Sequence, residues 1–376
     1  MLVVLLAIAF QTPPAAPLVT LRATLRQLGA ELDQHRGTYG ATPALTGAKH
    51  QLRDWIESRL AGLAPGVDTR TFAASVHDEL RRAGLLCDDC DSNVLGYVDD
   101  VRLTRAGDFL VVITAMGVSC GYDESAYVYA RDGGRWRRIW DHEQNTDTPP
   151  QYLPQNIHDV QISAPDAGGN RLLLELGSQT ICGGAFKNVY ARAWQLGANT
   201  PSPRVLDFTA YADDGYPPIL GRVLPDDVLF EYTADGLAAG EPHTAVRHFR
   251  IAGGRATQVD PIAGRPHDFV LEWLDAPWEE ARERSESASL EAAHATIRRA
   301  DHVGDFPEPT LRCATGADLW QVATRLFEGP KRYYLVRWGE PFRFTLAGVS
   351  ETPYVGCTQP DSKGDSYPDI LRRDTH

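Results

Sequence analysis

The sequence predicts a mainly β protein built from repeated antiparallel sheets, with a small helical region towards its N-terminal side. Three observations carry this. From Asn93 onward, short β-branched and aromatic runs alternate with Gly, Asp and Pro punctuation, the texture of many short strands. One pattern recurs along that stretch at intervals of roughly 60 residues. Before it, apolar residues recur at three- and four-residue steps, the period of helices with one buried face.

In chain order, residues 1–17 read as a leader: Leu2 to Phe10 are an apolar run, followed by the turn-forming segment Pro13 to Pro17. The run is too short to span a bilayer, and no transmembrane segment is expected.

Residues 18–92 form the helical region. Thr46 is the expected cap of a helix in which Leu52, Trp55, Ile56, Arg59 and Leu60 make a stripe, with Arg53, Asp54 and Glu57 turned away and a stop at Gly62 or Pro65. A second helix is expected over 71–83, with Phe72, Val76 and Leu80 four apart and Gly84 as its end. Helices of this length need a partner surface, so the region reads as a cap packed on β structure.

Residues 93–357 are the β-repeat region. Asp108 to Gly121 (DFLVVITAMGVSCG) aligns without a gap to Asp227 to Gly240 (DVLFEYTADGLAAG). Downstream, YARDGGRWRRI from Tyr129 aligns to FRIAGGRATQV from Phe249, each with Gly-Gly-Arg between alternating segments, a hairpin signature. A middle copy matches DVRLT at Asp100 to DVQIS at Asp159, LVVI at Leu110 to LLLE at Leu172, and Cys120 to Cys182, a step of 62 residues. A fourth, degraded copy starts at Asp318 (DLWQVAT, then YLVRWGEPFRF).

About four strands per unit point to a propeller-like array of four to five blades, with a two-sheet β-sandwich of duplicated halves as the alternative. A charged helical segment near 276–300 interrupts the array, and residues 358–376 read as a flexible tail.

Composition narrows the function classes. With 37 basic against 50 acidic residues, the formal charge of −13 repels a phosphate backbone unless a basic patch is set apart, so no nucleic-acid partner is expected. Arg135, Arg137 and Arg138 alternate with Trp136 and Trp140 as the polar face of a strand does. The aromatics of the β region, Trp194, Trp320 and Trp338 among them, read as core and cross-strand pairs.

Six cysteines fit an oxidising compartment, periplasmic or extracellular, where an even number can pair completely. Spacing predicts Cys87 with Cys90, Cys120 with Cys182 as equivalent repeat positions, and Cys313 with Cys357. Asp88, Asp89 and Asp91 beside the C-x-x-C would raise its thiol pKa, which disfavours a redox site. No second ligand pair stands near for zinc, and the acidic spacing fits no calcium loop. Neither a metal nor an organic cofactor is assigned.

Two further patterns carry candidate chemistry. Gly117-Val118-Ser119-Cys120-Gly121 matches the nucleophile elbow G-x-S-x-G, but that motif needs a helix after the turn. Here a strand-like segment follows, and the equivalent residues Gly236 to Gly240 keep the glycines without the serine. His158-Asp159 and His267-Asp268 recur in similar His-Asp-apolar settings near expected strand starts, where Asp capping a turn is the simpler role. The expected function is a binding or scaffold module for a protein, peptide or small-molecule ligand. The alternative is a secreted hydrolase, acting through Ser119 or through a metal held by the two His-Asp pairs.

Overall fold

A computed structural model of the chain describes residues 16–34, 42–63, 68–86, 95–144, 153–181, 186–197, 202–213, 219–235, 242–299, 303–304, 309–314, 318–326, 331–339 and 343–359. Most of the expected leader, the cysteines at 87, 90 and 182, and the tail from residue 360 lie outside the described residues. The chain divides into two compact units, Met1–Ile157 with Gln179–Cys182, and His158–Ser178 with Gly183–His376.

The first unit begins with three helices, α1 (Ala16–Gln34), α2 (Pro43–Ala61) and α3 (Thr69–Arg82). α2 starts before the expected cap. Pro43 takes the first helical position, where its fixed φ suits the helix, and the Thr42 hydroxyl accepts the Leu45 N–H at 3.2 Å. Thr46 lies inside the helix. α3 is capped by Asp68, which accepts the Thr71 N–H at 3.2 Å, and ends at Gly84, whose φ of +61° lets Leu85 N–H return to Leu80 O at 3.0 Å.

Four antiparallel strands follow as a meander: β1 (Val98–Ala106), β2 (Phe109–Val118), β3 (Gly121–Asp132) and β4 (Arg135–His142). The start of β5 (Gln155–Ile162) joins β3 through one parallel pair, Asp123 with Gln155. Leu21, Leu25, Leu28 and Leu32 of α1 pack in one core with the stripes of α2 and α3 and with Val98, Val112 and Met116 of the strands. Burial of these side chains, at about 25 cal/mol per Å² of apolar surface, is what holds short helices in place.

In the second unit the rest of β5, β6 (Arg171–Thr180), β7 (Phe186–Leu196) and β8 (Arg204–Asp213) run in order. Next come β9 (Leu220–Val223), β10 (Asp227–Asp235), β11 (Pro242–Ala252) and β12 (Arg255–Val259), again a meander, joined to β8 among the described residues by the pair Ala234–Ala212.

Helices α4 (Pro266–Asp275), α5 (Trp278–Glu283) and α6 (Leu290–Arg299) pack on a further sheet. Its strands are β13 (Val303–Gly304), β14 (Leu311–Cys313), β15 (Leu319–Leu326), β16 (Lys331–Gly339), β17 (Arg343–Ser350) and β18 (Cys357–Thr358). Trp273, Phe269, Tyr334 and Leu346 meet in the core between helices and sheet.

The protein is therefore mainly β; β1–β4, β5–β8 and β9–β12 are each a consecutive run of four hydrogen-bonded strands, and the segment from Asp318 supplies three, β15, β16 and β17. The two Gly-Gly-Arg segments are two-residue hairpin turns. Gly133 and Gly134 have φ of +56° and +84°, Gly253 and Gly254 +56° and +74°, the double positive φ that right-twisted hairpins favour.

The helical insertion begins ten residues before the expected 276, at Pro266. HDFVLEW is helix rather than strand because Pro266 sits at the first helical position and the buried Phe269, Val270, Trp273 and Leu274 recur at helical steps. Among the described residues no helix is long and apolar enough to cross a membrane.

Candidate functional site

A polar seam runs between α2 and β3 in the first unit. Lys49, Arg53 and Glu57 are four residues apart on α2 and so lie on one face; Asp123, Ser125, Tyr127 and Tyr129 alternate along β3 and so share one side of the strand. The two stripes meet pairwise. Lys49 Nζ pairs with Asp123, with the two side chains 1% and 0% exposed. Arg53 donates to Glu143 at 2.9 Å, and Tyr127 Oη donates to the same carboxylate oxygen at 2.9 Å. Glu57 accepts from Tyr129 Oη at 3.3 Å and lies 3.3 Å from Arg138 Nη1 of β4.

Arg53 and Glu57 are thus not turned to solvent as a single-stripe reading of α2 expects. The helix packs on two surfaces, with its apolar stripe on the core and this second stripe on β3 and β4. Burial, then the neighbouring carboxylates Glu143 and Glu57, push the Tyr127 and Tyr129 phenols far above their ordinary range, so both act as hydrogen-bond donors.

On the other side of β3, Glu124 accepts from Arg102 Nη2 at 2.6 Å and from the Ile157 N–H. Its carboxyl is raised above the usual range because burial outweighs the Arg102 charge.

The seam opens at its Glu57 end into a cleft of about 520 Å³. Glu57 and Leu60 of α2 form one wall; Tyr129 and Asp132 of β3 and Arg135 to Arg138 of β4 form the other. Arg138 is held by Glu57, Arg137 lies 3.9 Å from Asp132, and Arg131 lies over the Trp136 ring with 5.1 Å from its guanidinium carbon to the ring centroid. The Arg-Trp alternation of β4 is therefore more than a solvated strand face, since it walls a concave surface carrying an aromatic ring and paired charges.

The second unit has its own polar seam, between α4 and β11. Asp268 and Glu272, one turn apart on α4, face His243, Thr244 and Arg247 of β11. Glu272 takes a forked contact from Arg247 (2.8 and 3.3 Å) and lies 2.9 Å from His243 Nε2. Burial would raise the Glu272 carboxyl, but the His243 bond and the Arg247 charge prevail and hold it below its ordinary value. Asp268 accepts from Thr244 N–H at 3.4 Å and lies 3.3 Å from His267 Nδ1.

Ser119 occupies the two-residue turn between β2 and β3, where Val118 pairs with Gly121, so the chain runs strand–turn–strand. Its Oγ is buried without a hydrogen-bond partner. Both motif glycines have backbone reasons: a Cβ at Gly117 would fall within 2.9 Å of three Tyr97 ring atoms, and Gly121 has φ +138°.

His158, on β5, is 2.9 Å from Ser178 Oγ, and Asp159 accepts from Gln161 at 2.6 Å. His267 and Asp268 sit in the first turn of α4, so the two His-Asp dipeptides stand on different kinds of element. No group of three or more His, Cys, Asp or Glu side chains suited to a metal ion occurs among the described residues.

Cys313 and Cys357 form a disulfide between β14 and β18. Cys120 is also disulfide-bonded, to a cysteine outside the described residues.

No family model and no curated protein sequence matches the chain. Among solved structures, the catalytic domain of a Coprinopsis cinerea GH62 alpha-L-arabinofuranosidase aligns over 70% of this chain and 93% of its own at 9% identity and a TM-score of 0.20. A GH62 hydrolase in complex with xylotriose aligns over the same shares at 9% identity and a TM-score of 0.18. Likenesses of this size carry no argument about fold or activity.

Proposed function

We propose that the protein is an exported binding module, periplasmic or extracellular, whose ligand surface is the cleft walled by α2, β3 and β4. The supporting observation is the cleft itself. Trp136 supplies a flat apolar face, Arg135, Arg137 and Arg138 supply fork-shaped donors, and Glu57 and Asp132 supply acceptors, all mounted on regular elements rather than on a long loop. The buried Lys49–Asp123 and Arg53–Glu143–Tyr127 contacts fix α2 against β3 and so hold the walls apart before any ligand arrives.

Such a surface suits a polar ligand with one flat apolar side, a small molecule or a short segment of peptide or saccharide. Each four-stranded meander serves in this reading as a blade-type unit of a propeller-like array. Export is supported by the Cys313–Cys357 bond, which persists only where thiols are oxidised.

The test is equilibrium binding of the full chain to panels of oligosaccharides and peptides, followed by tryptophan fluorescence. A ligand found this way loses at least ten-fold in affinity with Trp136→Ala. Unchanged affinity in both Trp136→Ala and Arg135→Ala removes the cleft as the site.

The hydrolase reading rests on Ser119 or on the His-Asp pairs. Among the described residues the Ser119 hydroxyl has no hydrogen-bond partner, so no base is seen in contact with it there.

A further inference from the structure

A second concavity of the first unit, about 380 Å³, lies between α1, the C-terminal end of α3 and the segment leading into β1. Arg22 and Arg26 come from α1, Arg81 and Arg82 from the last turn of α3, and none of the described residues lining it is acidic. This is unexpected in a chain with a formal charge of −13.

Part of the clustering has a local explanation. The carbonyl end of α3 favours positive charge, Arg22 donates to Ala83 O, Arg82 Nε donates to Asp78 O at 3.2 Å, and Arg81 pairs with Asp78 at 3.1 Å. That account does not reach Arg26, which makes no hydrogen bond or ion pair among the described residues, nor Arg22 Nε, which is buried without a partner. The guanidinium groups of Arg22, Arg26 and Arg82, which have no carboxylate partner among the described residues, repel one another in one hollow, and a counter-anion removes that cost.

The hollow has a fixed floor. Gly96, with φ +72°, passes so close to α1 that a Cβ there would come within 2.7 Å of Gly29 Cα, and a Cβ at Gly29 would come within 2.8 Å of Leu95 O. Backbone-to-backbone packing of this kind holds α1 and its two arginines in place against the strand segment. Leu25, Leu85 and Tyr97 give the hollow an apolar side beside its arginines.

We propose that this hollow is a receptor for a doubly charged oxyanion of the phosphate type, with Arg26 and Arg82 as its exposed donors and Arg22 as its fixed one. Planar guanidinium forks match phosphate oxygens in pairs, and two negative charges offset a multiple-arginine cluster better than the single charge of a carboxylate.

The test is calorimetric titration of the full chain with inorganic phosphate, phenyl phosphate and acetate at constant ionic strength, so that general screening is common to all three. Phosphate binds, and the double variant Arg26→Ala/Arg82→Ala weakens it at least ten-fold while its circular dichroism spectrum without phosphate stays that of the folded wild type. Both side chains are exposed, so their truncation leaves the core intact. Tighter binding of phenyl phosphate than of phosphate assigns the apolar wall to the ester group of a phosphate monoester; equal binding assigns the free anion. No phosphate binding, equal binding by acetate, or unchanged affinity in the double variant overturns the proposal.

Discussion

Lys49 on α2 and Asp123 on β3 form an ion pair in which neither side chain exposes more than 1% of its surface. Removing one member leaves the other's buried charge without its ion partner, which costs about 3–5 kcal/mol, whereas replacing both by apolar residues removes two desolvation penalties along with the attraction. Lys49→Met and Asp123→Leu are each expected to lower the unfolding free energy by that amount, and the double variant to recover most of the loss. Urea unfolding of the four proteins closes the cycle; additive losses would mean that the pair does not hold the helix to the strand.

Glu272 makes the second unit sensitive to acid. Its carboxyl is held below the ordinary range by His243 and Arg247 against the effect of burial. A group depressed in the folded state contributes stability that is fully present above its unfolded value, about 4.3, and disappears as pH falls through the folded value. Glu272→Gln is therefore expected to lower stability at pH 7, with the gap to wild type narrowing steadily below about pH 5. Denaturant midpoints at intervals from pH 7 to 3 measure it. A gap independent of pH would show that packing rather than charge is what the substitution removes.

The hairpins were legible because their turns are local. Gly133-Gly134 and Gly253-Gly254 are the residues a two-residue turn with double positive φ requires, and they flank strands whose apolar alternation is visible on either side. The seams were not legible, because their partners are far apart in the chain: Lys49 with Asp123, Glu272 with His243. A single apolar stripe also understates a helix that packs on two surfaces, which is why Arg53 and Glu57 read as solvent-facing. One signal was available at β3, where Asp123, Glu124 and Ser125 stand together in an otherwise apolar strand, and three adjacent polar residues on a buried strand need partners on both faces. His267-Asp268 misled because the dipeptide resembled its counterpart at His158, while Pro266 before it and the helical spacing after it decided the local structure.

Those same turns give a conformational prediction. A Cβ on Gly134 or Gly254 would meet no atom within 4 Å, so any cost of substitution there comes from backbone φ alone. Gly134→Ala is expected to destabilise by about 1–2 kcal/mol, and Gly134→Asn by less, since Asn tolerates the left-handed region better. Thermal unfolding of both variants checks the order; equal losses would point to something other than φ.

Ser119 is expected to be inert. Its hydroxyl is buried at a hairpin turn, and among the described residues no side chain hydrogen-bonds to it as an activating base would. Ser119→Ala is expected to change stability by less than about 0.5 kcal/mol or to raise it slightly, because it deletes an unsatisfied polar atom. A fluorophosphonate probe is expected to leave the native protein unlabelled at this residue; stoichiometric labelling found by peptide mass spectrometry would restore the hydrolase reading.

The Cys313–Cys357 bond ties β14 to β18 across a sequence separation of 44 residues that contains β15, β16 and β17. Closing a loop of that length removes entropy from the unfolded chain worth about 4 kcal/mol in the chain-entropy model, with measured losses for natural bonds of about 2–5 kcal/mol. Cys313→Ala/Cys357→Ala is expected to lose stability in that range. Reductant alone cannot isolate this bond, because Cys120 is also disulfide-bonded, so the comparison is wild type against the double variant, both oxidised. The chain-entropy account also locates the loss: unfolding of the variant should begin in the sheet β14–β18, which carries the core around Trp320 and Tyr334. Hydrogen exchange resolved by peptide tests this, with faster exchange in β14 to β17 and unchanged exchange in β1 to β4. Uniform acceleration through both units would mean that the bond stabilises the whole chain as one cooperative unit.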